Sequence, residues 1–142
     1  MLSGRWSGVD EAQAAILALG EAFAQPVLEG ALKRLAEPVA EDIRRRLVPH
    51  RQSGLTEEDI RVVVSKEGRE SGEAAVLIGA RRGKGGRAFI LRFLEWGTFR
   101  QPARPIVRPA WDAAESDYPG RALAELHKAY ERGVKRFSRR AA

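Results

Sequence analysis

The chain has 142 residues, of which 44% are hydrophobic and 31% are charged, with a formal net charge of +6 and no cysteine. This composition is typical of a single globular domain, spanning residues 1–142, and it excludes disulfides, thiolate metal sites and thiol nucleophiles. No apolar run approaches the roughly 20 residues of a membrane-spanning helix, so we expect no membrane contact. The basic balance favours polyanionic partners such as DNA or acidic protein surfaces.

The N-terminal third of the chain is predicted to be helical. Residues 1–8 are rich in Gly and Ser around one aromatic, Trp6, and indicate a flexible arm before a helical region over residues 9–48. From Pro26 onward, apolar residues recur at helical spacing and form one stripe, which predicts a long helix against which a small sheet packs. Pro26 fits the first turn of that helix, whereas Pro38 lies inside the pattern and is expected to kink or split it.

Two strands are predicted within residues 58–79, which we interpret as a β-hairpin with a polar connection. Residues 60–65 alternate with a period of two, and residues 74–78 are apolar on both faces. Because two strands alone are marginally stable, we expect a third strand in residues 98–100 or 105–108. The predicted fold class is therefore α+β, with a small, mainly antiparallel sheet of three to four strands, a long N-terminal helix and a C-terminal helix.

Residues 80–87 are basic and glycine-rich, and they predict a flexible loop. Two interpretations stay open: the loop contacts phosphates or an acidic partner, or it is a solvated loop that keeps the chain soluble. The spacing of its glycines and lysine excludes a Walker-type phosphate loop. The basic residues available for a contact with DNA or a partner are Arg81, Arg82, Lys84 and Arg87.

Residues 88–108 combine a short apolar helix with a proline-spaced arm. Phe89, Ile90, Phe93 and Leu94 recur at a spacing that predicts one buried helical face, and Gly97 follows the helix where positive φ is needed. Residues 98–108 are predicted to be extended and stiff, because residues that precede proline favour extended backbone.

Glu95 is the one acidic residue in an apolar setting. We expect it to be structural or to lie at an interface, because a buried carboxylate without a partner is costly. Its expected partner is either Arg92, three residues earlier, or a backbone amide near Gly97 and Thr98.

A C-terminal helix is predicted over residues 109–138, starting at Pro109 and interrupted near residue 119. Its end is basic, and two interpretations stay open: favourable placement of cations at a helix C-terminus, or a basic tail for DNA. The residues concerned are Arg132, Lys135, Arg136, Arg139 and Arg140.

No pattern of catalytic or metal-binding residues is found. His50 and His127 lie far apart and lack further ligands at metal-site spacing. The adjacent acids Glu57, Glu58 and Asp59 precede the first strand and are expected to be solvated rather than catalytic. We therefore predict a protein that is not an enzyme and has no catalytic residues, no metal and no cofactor.

One stretch of the chain resembles a known family. Residues 94–98, Leu-Glu-Trp-Gly-Thr, and residues 102–110, Pro-Ala-Arg-Pro-Ile-Val-Arg-Pro-Ala, resemble the E-[FWY]-G-T … P-A-x-P-[FI]-[LV]-R-P-A signature of phage neck and tail-completion proteins. These are head–tail joining proteins, related to the lambda minor tail protein Z group. Ser53-Gly54-Leu55 resembles the turn before that family's first strand, and the helices extend the resemblance over nearly the whole chain. In two departures, Ile106 replaces the usual Phe, and Pro119-Gly120 breaks a helix that the family keeps continuous.

The resemblance implies a non-enzymatic virion protein of a long-tailed phage or prophage-like particle. It implies a homo-oligomeric ring, with six subunits expected, that joins the head connector to the tail-tube or tail-terminator proteins. Such a protein is assembled in the host cytoplasm, resides in the neck or tail, and can contact packaged DNA in passing. The alternative from the residues alone is a small basic nucleic-acid-binding module.

The site residues expected from this stretch fall into two groups. The structural motif comprises Glu95, Trp96, Gly97 and Thr98. The residues expected at a contact between subunits are Pro102, Arg104, Pro105, Ile106 and Pro109.

Overall fold

The computed structural model of the protein describes residues 20–50 and 54–141. The predicted arm with Trp6, and the predicted helical residues up to 19, lie outside this part of the chain. The elements in chain order are α1 (Glu21–Leu47), a 3₁₀ turn (Val48–His50), α2 (Leu55–Glu58), β1 (Ile60–Val64), α3 (Lys66–Ser71), β2 (Val76–Ala80), α4 (Ala88–Trp96), α5 (Val107–Glu115) and α6 (Tyr118–Ala141).

The described residues form an α+β structure that is mostly helical, with one two-stranded antiparallel sheet and a long N-terminal helix. They divide into two compact units, each with its own core. Unit 1 contains the described residues of 20–35, 64–76 and 117–141, and unit 2 contains those of 36–63 and 77–116. Helix α1 contributes its first half to unit 1 and its second half to unit 2.

Helix α1 carries the predicted apolar stripe, and the prediction that this stripe is buried is confirmed. Its most buried positions are Leu28, Ala31, Leu35, Ala36, Val39, Ala40, Ile43 and Leu47. Of the two outcomes expected at Pro38, a kink or a split, the split is wrong, because α1 is one continuous helix of 27 residues. Its beginning at Glu21 also places Pro26 beyond the first turn. Proline removes one backbone hydrogen bond. Burial of the stripe on both sides of Pro38 offsets that loss, since most helix stability in proteins comes from packing.

Unit 1 is held by apolar contacts between α1 and α6. Its core contains Ala24, Leu28 and Ala31 of α1 and Leu126 and Ala129 of α6, with Val27 and Ala74 packed against it. Small residues dominate, which lets the two helices approach closely.

The connection between the strands, predicted to be the polar connection of a β-hairpin, contains the short helix α3. Ser65 caps α3, since its Oγ accepts a hydrogen bond from the Gly68 N–H at 3.2 Å. Gly72, with φ of 78°, ends the helix. Serine at the N-cap and glycine after the end are strong local signals for a helix.

Unit 2 is built around the second half of α1. Ile60 of β1, Leu91 of α4, and Ile106 and Ala110 at the start of α5 complete its core with Val39, Ala40, Ile43 and Leu47. The expected three to four strands are not confirmed, because the described residues contain two. Of the candidates for a third strand, residues 98–101 form a turn and residue 107 begins α5. Helix α5 ends at Glu115, and α6 begins at Tyr118, one residue before Pro119.

Candidate functional site: the Glu-Trp-Gly-Thr segment and its surroundings

Helix α4 presents aromatic side chains to solvent. Phe89, Phe93 and Trp96 are 53%, 52% and 69% exposed, and they follow one another at i, i+4 and i+7 on one helical face. The rings of Phe89 and Phe93 meet edge to face with centroids 5.9 Å apart. The prediction that Phe89 and Phe93 lie on a buried face is wrong. The opposite face, with Leu91 buried and Leu94 half-buried, packs on the core instead.

Glu95 binds the beginning of α5 through its carboxylate. Its Oε2 accepts hydrogen bonds from the Ile106 and Val107 N–H groups at 2.8 and 3.0 Å, and its Oε1 accepts one from Arg108 N–H at 2.9 Å. The first N–H groups of a helix have no partner inside the helix, and its dipole favours an anion there. The expected structural role with backbone amides fits this geometry, but the expected partners, Arg92 or residues 97–98, were wrong. Glu95 therefore joins α4 to α5.

Gly97 has a conformation and a location that only glycine tolerates. Its φ of 72° and ψ of 179° lie in a region that is essentially restricted to glycine, so the prediction of positive φ is confirmed. A Cβ atom at this position would lie 2.7 Å from Ala103 N and 2.9 Å from Gln101 O. The backbone of the arm therefore passes directly against Gly97.

Thr98 fixes a tight turn at the start of the arm. Its N–H donates to Gln101 O at 2.8 Å, and its Oγ1 accepts from the Gln101 N–H at 3.1 Å. Phe99, at the tip of this turn, is 95% exposed, and the Arg100 guanidinium lies 5.5 Å from the centre of its ring. A short polar side chain that bonds to its own backbone two or three residues on is a strong turn-former.

The prediction that the arm is extended over residues 98–108 is wrong. The arm turns at residues 98–101 and returns along α4, where the Arg104 N–H donates to Leu94 O at 2.7 Å. Pro102, Arg104 and Pro105 are exposed and Pro109 is half-buried. Ile106 is only 3% exposed and lies in the core of unit 2. Its predicted contact with another subunit does not suit this location, because a core side chain cannot reach a partner.

The basic loop is anchored by Asp59, which is 6% exposed. Its Oδ2 accepts from the backbone N–H groups of Arg81 and Arg87 at 3.1 and 2.8 Å, and its Oδ1 lies 3.5 Å from Arg81 Nε. The expectation that this acid is solvated is wrong. Asp59 occupies two amides that a bound phosphate would otherwise use. Arg82 and Lys84 remain exposed on the loop.

Five arginines around α4 have no carboxylate partner within residues 20–50 and 54–141. Two of them contact aromatic rings, since Arg108 lies 5.4 Å from the centre of the Trp96 ring and Arg100 lies over Phe99. Elsewhere in unit 2, Arg44, Arg45 and Arg46 each pair with a carboxylate at 2.6–2.9 Å. We call the following set the arginine–aromatic surface: Phe89, Phe93, Trp96 and Phe99 with Arg87, Arg92, Arg100, Arg104 and Arg108.

A cleft of about 370 Å³ opens in this surface. Leu47, Ile90 and Leu94 form part of an apolar lining, with Phe89 and Phe93 beside them. Polar groups come from Glu57, which is 7% exposed, and from His50, Arg87 and Arg104. A cleft of this size, lined by both apolar and polar groups, can receive a large side chain.

Several of these residues were missed by reasoning from the sequence. The exposure of Phe89 and Phe93 gives no local signal, because apolar residues occur on both faces of α4. The role of Asp59 does have a local signal. A loop with three glycines needs hydrogen bonds to fix its backbone, and Asp59 immediately precedes a buried strand residue.

No group of three or more His, Asp and Glu side chains in the described part of the chain is placed to hold a metal ion. None of the helices within residues 20–50 and 54–141 has both the length and the apolar character of a membrane span. Comparison of the chain with protein-family models, with curated proteins and with solved structures finds no match.

Proposed function

We propose that this protein is a structural subunit of a phage neck or tail, which assembles into a ring between the head connector and the tail. The observation that carries the proposal is the cluster of four exposed aromatic side chains on α4 and the adjoining turn. Aromatic and arginine residues dominate the energetically important centres of protein interfaces. A soluble chain that keeps such residues on its surface is typically one that buries them against a partner.

The motif that resembles the neck-protein signature supports the same proposal through the role of each residue. Glu95 holds the start of α5, Gly97 lets the arm pass close to α4, and Thr98 forms the turn that exposes Phe99. Trp96 stands outside, against Arg108. Glu95, Gly97 and Thr98 thus fix the backbone that holds the exposed aromatic side chains in place. A contact surface that is rigid before binding loses little entropy on association.

The assembly follows from the shape of such a contact. A surface that binds a different surface of the next identical copy produces a closed ring when the rotation between copies closes. The expected partners are further copies of the chain, six in the expected ring, and the head-connector and tail-tube or tail-terminator proteins at its two faces.

The aromatic side chains provide the test. We expect the purified protein to form rings in negative-stain images and to show the matching mass by light scattering. Phe99→Ala and Trp96→Ala should each shift the mass towards the monomer, because the interface loses apolar area, while the melting temperature changes little. Tyr130→Ala, which removes an exposed aromatic from α6, is the matched control and should leave the mass unchanged.

Two results would contradict the proposal. A wild-type chain that stays monomeric at every concentration, alone and with its partners, would exclude a ring subunit. Unchanged assembly in both aromatic variants would show that this surface is not the interface.

The alternative is a nucleic-acid-binding module, which the exposed Arg82 and Lys84 favour. Binding to duplex DNA as a function of salt discriminates between the two proposals. A module whose arginines and lysines neutralise phosphates loses affinity steeply as salt rises, whereas a neck ring binds the duplex weakly at any salt concentration.

A further inference from the structure

We infer that the arginine–aromatic surface of one copy binds the acidic stripe of α5 of a second copy. The acidic stripe consists of Asp112 and Glu115. The inference specifies the contact within the proposed assembly, and it rests on that proposal only in requiring that the chain associates with itself.

The basic side of this contact is a set of arginines left without acidic partners. Arg92, Arg100, Arg104 and Arg108 are exposed, and Arg87 is half-buried. Arg92 shares the helical face of Phe89, Phe93 and Trp96, while Arg87 and Arg104 line the cleft beside Phe89 and Phe93. These positive charges surround one apolar surface, so a complementary surface carries carboxylates.

Among the carboxylates of unit 2, the unit that carries the arginine–aromatic surface, only some already have a partner. Asp112 and Glu115 are exposed and make no ion pair within the described residues. Glu58 on α2 is also exposed and makes no such ion pair, but it has no second exposed acid beside it. Glu57 is buried in the cleft. The others bind groups of unit 2 itself: Glu37, Glu41, Asp42, Asp59 and Glu95.

Arg108 shows that the two charge sets are not neutralised within one molecule. Arg108, Asp112 and Glu115 follow one another at i, i+4 and i+7, so they share one face of α5. Arg108 and Asp112 are thus spaced for an ion pair on one helix. The Arg108 guanidinium instead lies over the Trp96 ring. Both the basic surface and the acidic stripe therefore remain available to a neighbour.

A second copy fits this surface better than a nucleic acid does. A nucleic acid lying across this surface would meet the exposed carboxylates of Asp112 and Glu115 along α5, which repel phosphates. The aromatic side chains supply affinity through burial, and the charges set the register between copies.

Charge reversal on each side tests the contact. Arg92→Glu with Arg104→Glu reverses the basic side, and Asp112→Arg with Glu115→Arg reverses the acidic side. Each double variant should weaken self-association at least about tenfold in analytical ultracentrifugation, because like charges then face each other. An equimolar mixture of the two variants, and the chain with all four changes, should both regain association, since opposite charges meet again.

The matched control is Arg136→Glu with Arg139→Glu on α6, which changes net charge by the same amount as the basic-side variant. It should associate like the wild type. Circular dichroism melting of every variant shows that lost association is not lost folding.

The remaining outcomes separate this inference from the proposed ring. Rings that persist in both double variants overturn the inference and leave the ring proposal standing. Loss in both without recovery in the mixture also overturns it, because the two surfaces then do not meet each other. A charge-dependent dimer in place of a ring supports the contact and contradicts the ring. Basic-side variants that lose only binding to single-stranded oligothymidine, with self-association intact, assign the surface to nucleic acid and overturn the inference.

Discussion

At the scale of single residues, Glu95 is the side chain on which the motif depends. Three amides converge on its carboxylate, and α5 has no side-chain cap of its own, since Ile106 stands at its N-cap. A carboxylate from another helix therefore does what a local Ser or Asp normally does. The beginning of α5 and the path of the arm are thus fixed by the same residue.

Replacement of Glu95 should destabilise the fold in two steps. Glu95→Gln keeps one acceptor oxygen but loses the charge that favours the helix N-terminus, whereas Glu95→Ala leaves three amides without this partner. We expect the alanine variant to lose about 1–3 kcal/mol of unfolding free energy and the glutamine variant less. Urea denaturation measures both. Glu131→Ala, an exposed acid on α6, should change little. Equal stability of Glu95→Ala and wild type would mean that the three hydrogen bonds to the Glu95 carboxylate do not stabilise the fold.

Gly97 should tolerate no side chain. Gly97→Ala introduces a Cβ into a disfavoured backbone region and against the backbone of residues 101–103, so we expect a loss of at least about 1–3 kcal/mol. Gly120→Ala is the matched control, because nothing lies within 4 Å of its Cβ position and it sits in a helix. That variant should gain up to about 1 kcal/mol. A wild-type melting temperature for Gly97→Ala would mean that the arm does not pass against this glycine.

Reasoning from the sequence succeeded at residues whose chemistry is local. Positive φ at Gly97 follows from a helix ending, and a partner for Glu95 follows from the cost of a lone buried carboxylate. The identity of that partner depends on residues 11 to 13 positions away and on the path of the arm. The partners of Asp59 could not be predicted for the same reason, since the loop that it anchors lies 22 to 28 residues later.

At the scale of elements, α4 and α1 show opposite outcomes of the same periodicity argument. The stripe of α1 was predictable because one face is apolar and this chain buries it. Helix α4 is apolar on two faces, and periodicity cannot say which is covered by the chain itself. Leu91 packs inward while Phe89, Phe93 and Trp96 face outward. A helix that is apolar on both sides is one that can serve a core and an interface together.

The pairing of α1 with α3 gives a prediction on pH. Glu29 is 5% exposed and accepts two hydrogen bonds from Arg69, at 2.7 and 2.6 Å. These hydrogen bonds lower the pKa of Glu29 below its usual range, although burial opposes them. Because the folded pKa is depressed, the pair stabilises the fold above the unfolded pKa of about 4.3. That stabilisation is lost as the pH falls through the folded pKa.

Glu29→Gln should therefore flatten the fall in stability on the acidic side. We expect the difference in urea midpoint between about pH 7 and about pH 3 to be smaller in this variant than in the wild type. Glu70→Gln, which replaces an exposed acid on α3, should keep the wild-type difference. If Glu29→Gln also keeps it, the pair does not contribute to acid sensitivity.

At the scale of the whole molecule, each unit is made of segments that are distant in sequence. Unit 2 brings α1 together with β1, α4 and α5, and unit 1 brings α1 together with α6. The α+β class and the long helix could be predicted, because they depend on periodicity and turn residues. The division into two units could not, because the stripe of α1 is uninterrupted in sequence and does not reveal that different partners cover its two halves.

The shared helix has a consequence for the chain during its synthesis. The core of unit 2 can close once Ala110 has been made, whereas the core of unit 1 waits for Leu126 and Ala129 of α6. Chains fold from the N-terminus as they are made, and apolar surface exposed meanwhile is prone to aggregate. Until α6 arrives, Ala24, Leu28 and Ala31 lack these partners. The nascent chain therefore completes its arginine–aromatic surface before Ala24, Leu28 and Ala31 of α1 can pack against α6.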